Sequence, residues 1–488
     1  MIATENKISV QAVKEATGEA GDINYMPLHI NGNKDFPVTL IYVDGMVNTK
    51  CVDDNILKPL LQEEMTSLGS EEAIMEFMIT GGIYHNRAEV TDSFEDMMGD
   101  LLTGSAALVF EKTGKAVMLE VKGFERRGIG VPSDENVLKG SKDCFVESIR
   151  MNTATIRLKI RNQALRIKQL SVGKQSSTPV AVVYMDGIVS PETVNEIEQR
   201  INGINTDSVL FPAQIEEYII NNKYSIFPQV KYTERPDSFC ANLLDGRVGI
   251  LIDGMPVAYI TPVSFAVFMQ APEDYSFNFF TASLIRIVRY ASLLFALFLP
   301  GYYIAILAFN IEMLPADLAL SIISSKEGVP FSTVMETMFM LIAFELLIQS
   351  GIRMPQSIGQ AAAIIGGIII GQAAVLARFL SPAVIVVIAF SGIAGFTLPS
   401  HDLGNTTRVL RFALALSAAI AGLPGLILAS LGVCIHLSKI ESFDLPYLSP
   451  YCSGPAKEIY EDTLIRLPMS FYKKRPANIA AKNVSKQA

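Results

Sequence analysis

Apolar and polar residues change rhythm several times along the chain. VTLIYVDGMV (38–47) is a run of β-branched and other apolar residues closed by Asp-Gly, the pattern of a buried strand entering a turn. VAVVYMDGIV (180–189) repeats it almost unchanged. At the same offset of 142 residues Thr91-Asp92 meets Thr233-Glu234, Leu101-Leu102 meets Leu243-Leu244, and Gly104 meets Gly246. LLTGSAALVFEKTGKAVMLEV (101–121) and LLDGRVGILIDGMPVAYITPV (243–263) each read as an apolar strand, a polar turn and a second apolar strand. DDNILKPLLQEEM and PETVNEIEQRIN carry helical periodicity between the strands of each copy. The pattern predicts two copies of one α/β unit, over 38–121 and 180–263.

Between the copies Ile149, Ile156, Ile160 and Ile167 recur at steps of 7, 4 and 7, which places them on one face of a helix. Arg150, Arg157, Arg161 and Lys168 follow one position later as a basic edge. Such an edge is either a solvated rim or a docking surface for a partner subunit or anionic lipid.

Near Tyr275 the rhythm is lost and long apolar runs begin. IVRYASLLFALFLPGYYIAILAF (287–309), VMETMFMLIAFELLIQSG (334–351), IGQAAAIIGGIIIGQAAVLA (358–377) and SPAVIVVIAFSGIAGFTL (381–398) approach or exceed the about 20 residues that cross a bilayer. The fifth run, 409–437, is too long for one untilted span and carries Gly-Leu-Pro-Gly at its middle, so it is a kinked helix or a re-entrant pair. About five spans are expected. Arg286 and Arg289 before the first span place the N-terminal region in the cytoplasm by the positive-inside rule. Lys473-Lys474-Arg475 places the tail there too, which requires an even number of crossings. The fold class expected is an α/β soluble N-terminal region of two duplicated subdomains followed by an all-α multi-span membrane domain. Its parts are a polar N-terminal segment (1–37), a first α/β subdomain (38–121), a helical linker (122–179), a second α/β subdomain (180–274), a transmembrane domain (275–440) and a polar basic tail (441–488).

Within the membrane half, Gly359, Ala363, Gly367 and Gly371 put a small residue at every fourth position, a flat face for close helix packing within a chain or around an oligomeric pore. Carboxylates there are costly and normally have a purpose. Glu336 and Glu345 are nine residues apart and so lie on opposite helical faces. Glu345, with Gln349 one turn on, reads either as half of a structural ion pair, with Arg353, or as part of an ion pathway or gate. Glu336 is a further candidate for the pathway or gate, although its place near the helix end also lets it reach water.

Composition narrows the classes. Half of the 488 residues are hydrophobic, yet 18% are charged, which suits one soluble and one membrane part. A net charge of −9 argues against nucleic acid as a partner. Cys51, Cys144, Cys240, Cys434 and Cys452 are scattered, with neither a zinc nor a disulfide spacing, and read as buried thiols of a reducing compartment. His29, His85, His401 and His436 have no metal-ligand spacing. GKQSST (173–178) is not a phosphate loop and GIG (128–130) lacks a third glycine. PEDY (272–275) and TERPD (233–237) read as a joint and a turn. No enzyme activity, cofactor or metal is expected, and the N-terminus has no secretory pattern.

The order of TERPD, LLDGRVGILIDGMP, APEDY with Arg286 and Arg289, EMLP (312–315), KEGVPF (326–331), FELLIQSGIRMPQSIGQAAAIIGGIIIGQAAV (344–375) and SPAVIVVIAFSGIAGF resembles the A subunits of spore germinant receptors, the GerA family, from about residue 38 to 438. The resemblance implies a protein of the endospore inner membrane, its N-terminal domain facing the cytoplasm or spore core. It also implies a transporter-like B subunit and a lipoprotein C subunit as partners, and a homo-oligomeric, nutrient-gated ion channel that triggers germination. Two departures stand out. GSKDCFVES (140–148) is closer to the paralogue encoded with the dipicolinate channel genes, and Gln349-Ser350 replaces a common Glu-Ala. The alternative function is accordingly an accessory membrane scaffold that supports dipicolinate release without conducting ions.

Overall fold

The computed structural model describes residues 7–18, 20–61, 69–82, 87–123, 132, 135, 137, 139–353, 371–452, 462–476, 479, 483 and 485–486. The chain forms two units. One comprises Met1–Asn221, Val230–Val263 and Lys473–Ala488; the other comprises Asn222–Gln229 and Ser264–Tyr472.

The first unit holds two five-stranded sheets. One is made of β1 (Ile23–His29), β2 (Pro37–Val43), β3 (Ala88–Thr91), β4 (Ala106–Phe110) and β5 (Lys115–Leu119), in the order β1-β2-β4-β5-β3. The other is made of β6 (Leu165–Val172), β7 (Thr178–Met185), β8 (Lys231–Thr233), β9 (Val248–Ile252) and β10 (Ala258–Thr261), in the order β6-β7-β9-β10-β8. All pairings are antiparallel. β1 and β6 begin 142 residues apart, as do β4 and β9, so the duplication includes a strand that precedes the repeat legible in sequence. Every residue of β4 and β9 is buried, which explains their continuous apolar runs. In the first sheet Leu40, Leu108 and Val117 face a core that includes Ile74, from a helix at Glu71–Phe77. Ile41, Ala107 and Val109 face a second core with Met97 and Leu101, from a helix at Phe94–Leu101.

The segment between the copies is part helix and part strand, which corrects the reading of one long helix. A helix at Ile149–Lys159, here α1, stops where Ile160 turns to φ −116° and ψ 89°. Asn162 then accepts from the Ala164 and Leu165 amides, and Ile167 lies on β6. The basic edge is largely paired. Arg157 is fully buried and donates from Nε and Nη2 to the two carboxylate oxygens of Asp22, at 2.7 and 2.9 Å. Arg150 pairs with Asp44 at 2.9 Å, and Lys168 with Glu198 at 2.7 Å. At its N-terminal end α1 is tied to the second copy, the Ile149 amide donating to Asp253. One helix thus joins both lobes, and the Gly21 amide adds a bond to the Ile167 carbonyl on β6.

The repeated Asp-Gly turns share a backbone. Gly45 and Gly187 both have φ +76°. A Cβ on Gly45 would lie 2.8 Å from the Arg150 carbonyl oxygen, whereas one on Gly187 would meet nothing.

In the second unit α2 (Phe279–Phe309) contains Pro300. It is followed by α3 (Ala316–Ser325), α4 (Thr333–Arg353), α5 (Pro382–Phe396) and α6 (His401–Lys439). Among the described residues three helices are long and apolar enough to cross a membrane, Phe279–Phe309, Thr333–Gly351 and His401–Lys439; α3 and α5 are shorter. Of the about five spans expected, most of the one at 358–377 lies outside the described residues.

α6 is not one rod. Ala421 and Gly422 leave helical geometry, with Gly422 at φ 62° and ψ −142°. A Cβ on Gly425 would lie 2.3 Å from the Ser417 carbonyl oxygen, and one on Gly301 would touch both Leu414 and Leu426. Thr406 donates to the Ile226 carbonyl, while His436 sits 3.0 Å from the Ser225 hydroxyl. In a straight helix those two side chains would be about 45 Å apart. The 39 residues thus form a helical hairpin with its tip at Ala421-Gly422, and both open ends meet residues 225–226. After it, the Phe265 amide donates to the Tyr447 carbonyl, and Tyr451 bonds Tyr290 near the start of α2. The segments that lead into and out of the helical unit therefore lie together.

Asp22→Ala strands a buried guanidinium and is expected to cost about 3–5 kcal/mol of stability, read from denaturant unfolding of the purified chain. Gly187→Ala is expected to cost only the left-handed strain, about 1–2 kcal/mol, and Gly45→Ala more, because it also collides with α1. Equal losses would contradict the packing difference.

Candidate functional site

Among the described residues of the second unit, charged side chains gather, buried or half-buried, at three places. The first lies at the start of α2. Asp274, fully buried, accepts from Arg286 Nε at 2.9 Å and from Arg289 Nη1 and Nη2 at 3.0 and 3.1 Å. Arg286 also donates to the Asp462 side chain at 2.9 Å, and Tyr472 donates to the same carboxylate. Burial, and then Asp462, push the Tyr472 phenol above its ordinary pKa. Arg286 and Arg289 are both buried and paired with acids in the folded unit.

The second place surrounds Glu336. Its side chain is 1% exposed and does not reach water, contrary to the expectation from its position near a helix end. Oε1 lies 2.8 Å from Lys326 Nζ, and Oε2 accepts from the Ser381 amide at 2.9 Å. Ser381 is the N-cap of α5, so the carboxylate meets the positive end of that helix as well as a lysine.

The third place is where α4, α5 and α6 meet. Arg408 on α6 donates from Nε to Glu345 Oε2 at 3.1 Å and from Nη2 to Oε1, a two-pronged pair between helices. Gln349 donates to Glu345 Oε1 at 3.2 Å. One turn along α6, Arg411 is 2% exposed; its Nη1 donates to Ser391 on α5, and its guanidinium lies over the Phe344 ring. A Cβ on Gly392 would lie 2.2 Å from Phe344, so only glycine lets that ring reach its place beside Arg411. A cavity of about 100 Å³ adjoins this cluster, lined by Phe344, Phe396, Asn405, Arg408 and Arg411 among others.

Of the residues singled out from the sequence, Glu345 and Gln349 come together here and Glu336 stands apart. The ion-pair partner of Glu345 is Arg408; the side chain of Arg353 lies outside the described residues. Gly359, Ala363 and Gly367 also lie outside them; at Gly371, among the described residues, a Cβ would meet nothing within 4 Å. The sequence reading began the last apolar run at Val409 and passed over Arg408 and Arg411. Two arginines three residues apart beside an uncharged stretch were the available signal. Among the described residues no group of His, Cys, Asp and Glu is arranged to hold a metal. Of the five cysteines only Cys240 is buried, so the expectation of buried thiols is met by that one alone.

Replacing Glu345 by Leu or Arg408 by Met alone is expected to lower stability by about 2 kcal/mol, since the remaining charge loses its partner. The double replacement should recover most of that loss, and thermal unfolding in detergent measures it. Additive losses would show that the pair is not coupled.

The profile of a family described as Bacillus/Clostridium GerA spore germination protein matches residues 11–478. The chain is 34% identical over 450 residues to the uncharacterized membrane protein YfkQ of Bacillus subtilis, covering 92% of this chain and 86% of that one. It is 32% identical over 483 residues to spore germination protein KA of the same organism, covering 98% and 87%. A solved structure, the N-terminal domain of the A subunit of the Bacillus megaterium spore germinant receptor GerK3, is 25% identical with a TM-score of 0.42, covering 54% of this chain and 98% of that one.

Proposed function

Because the chain belongs to the GerA family of spore germination proteins, we propose that it is the membrane A-type subunit of a germinant receptor that passes ions when a nutrient is sensed. The observation that carries the ion-conducting part is the Glu345–Arg408 pair, which ties α4 to α6 inside the membrane unit. Two helices held by a two-pronged, half-buried ion pair separate more readily when each charge finds another partner, and that makes the pair a gate between two discrete states. Glu345 is neutralised by Arg408 in the closed state and is released to the ion path in the open one. Glu336, held by Lys326 and the α5 N-terminus, is structural in this reading. The protein acts without enzymatic chemistry, as a homo-oligomer in the endospore inner membrane. Its first unit faces the spore core, and it works with a transporter-like B subunit and a lipoprotein C subunit.

Potassium release from spores lacking only this chain, over a panel of amino acids, sugars and nucleosides, tests the reading. Loss of early release for one nutrient, regained on restoring the chain, is expected; Glu345→Gln should restore assembly but change the release rate. Normal early potassium release with slow dipicolinate release would overturn it in favour of the accessory scaffold.

A further inference from the structure

Arg411 carries an unmet demand. It lies ten residues into the first arm of the α6 hairpin and is 2% exposed, yet among the described residues its Nε and Nη2 have no hydrogen-bond partner. Those two groups form one edge of the guanidinium. Arg157 uses the same edge to grip Asp22, and Arg408 uses it to grip Glu345. On Arg411 the edge is vacant, while Nη1 is taken by the Ser391 hydroxyl at 3.3 Å.

Among the described residues of the helical unit no carboxylate is hydrogen-bonded to that edge. Between residues 275 and 440 the acidic residues are Glu312, Asp317, Glu327, Glu336, Glu345 and Asp402. Glu345 is committed to Arg408 and Glu336 to Lys326. Asp402 lies on the same arm but nine residues away, about 14 Å along the axis. Glu312, Asp317 and Glu327 lie outside the long helices or at the first turn of α3. Residues 354–370 contain no acid at all. A guanidinium out of water needs an opposite charge. The cavity beside Arg411 has room for a small one, with Asn405, Arg408 and the Phe344 and Phe396 rings on its wall.

We propose that this cavity is a binding site for a small monocarboxylate, held by the Nε–Nη2 edge of Arg411. A carboxylate fits that edge with two parallel hydrogen bonds, which a spherical halide cannot make in the same way. The inference concerns Arg411 and its cavity and is independent of the germination reading.

Purified full-length chain in lipid nanodiscs, in a buffer whose other anion is the bulky gluconate, is titrated with sodium formate and separately with sodium chloride while thermal unfolding is followed. Formate is expected to raise the unfolding midpoint saturably, by about 2–4 °C at saturation, with chloride doing less. Arg411→Met fills similar volume without the charge, and is expected to unfold at or above the wild-type midpoint in gluconate and to lose the formate response. Equal responses to chloride and formate that both vanish in Arg411→Met would overturn the carboxylate preference. A formate response that persists in Arg411→Met would place the anion elsewhere. No response in wild type, with Arg411→Met markedly destabilised, would overturn the site and assign the edge to a carboxylate of another protein chain.

Discussion

A guanidinium removed from water must be met by a carboxylate, and much of this structure is arranged around that demand. Asp22 meets Arg157 where α1 joins the two lobes, Asp274 meets Arg286 and Arg289 where the membrane unit begins, and Glu345 meets Arg408 between α4 and α6. In each case the partners lie far apart in sequence or on different elements. Each pair therefore fixes how two pieces of chain meet, whatever it contributes to net stability. Apolar packing supplies the cores of the two sheets and of the helical unit, but it tolerates sliding, whereas a two-pronged ion pair tolerates only one register.

The duplication was legible because a strand-turn-strand unit leaves a dense pattern. Buried β4 and β9 are apolar at every position, and the Asp-Gly turns at Gly45 and Gly187 need the same left-handed backbone. β1 and β6 escaped notice for the opposite reason. They are partly exposed edge strands, INYMPLH and LRIKQLSV, and the isoleucines near β6 happen to continue a helical spacing from α1. Only the turn at Asn162 breaks that continuity, and one asparagine is a weak signal beside four isoleucines.

The membrane half was legible as composition and not as arrangement. Apolar runs marked the helices, and the Gly-Leu-Pro-Gly stretch marked a break. Which carboxylate meets which cation is set by how helices cross, and helix crossings leave no periodic trace in a single sequence. Glu345 was found because acids are rare in apolar runs; Arg408 was missed because it stands one residue before such a run. Glu336 was misjudged because nearness to a helix end says nothing about whether another helix, here the start of α5, covers that end.

The hairpin of α6 bears on how the chain enters a bilayer. From Phe412 to Ser438 there is no Asp, Glu, Lys or Arg, and the bend at Ala421-Gly422 carries no polar side chain. Both flanks end beside the same short segment, residues 225–226. The two arms can therefore slip into the membrane together as a closed loop, with Arg408 and Lys439 left behind on the side of entry. No hydrophilic segment of the hairpin has to be carried across, so its insertion can wait until the earlier helices are in place to receive it.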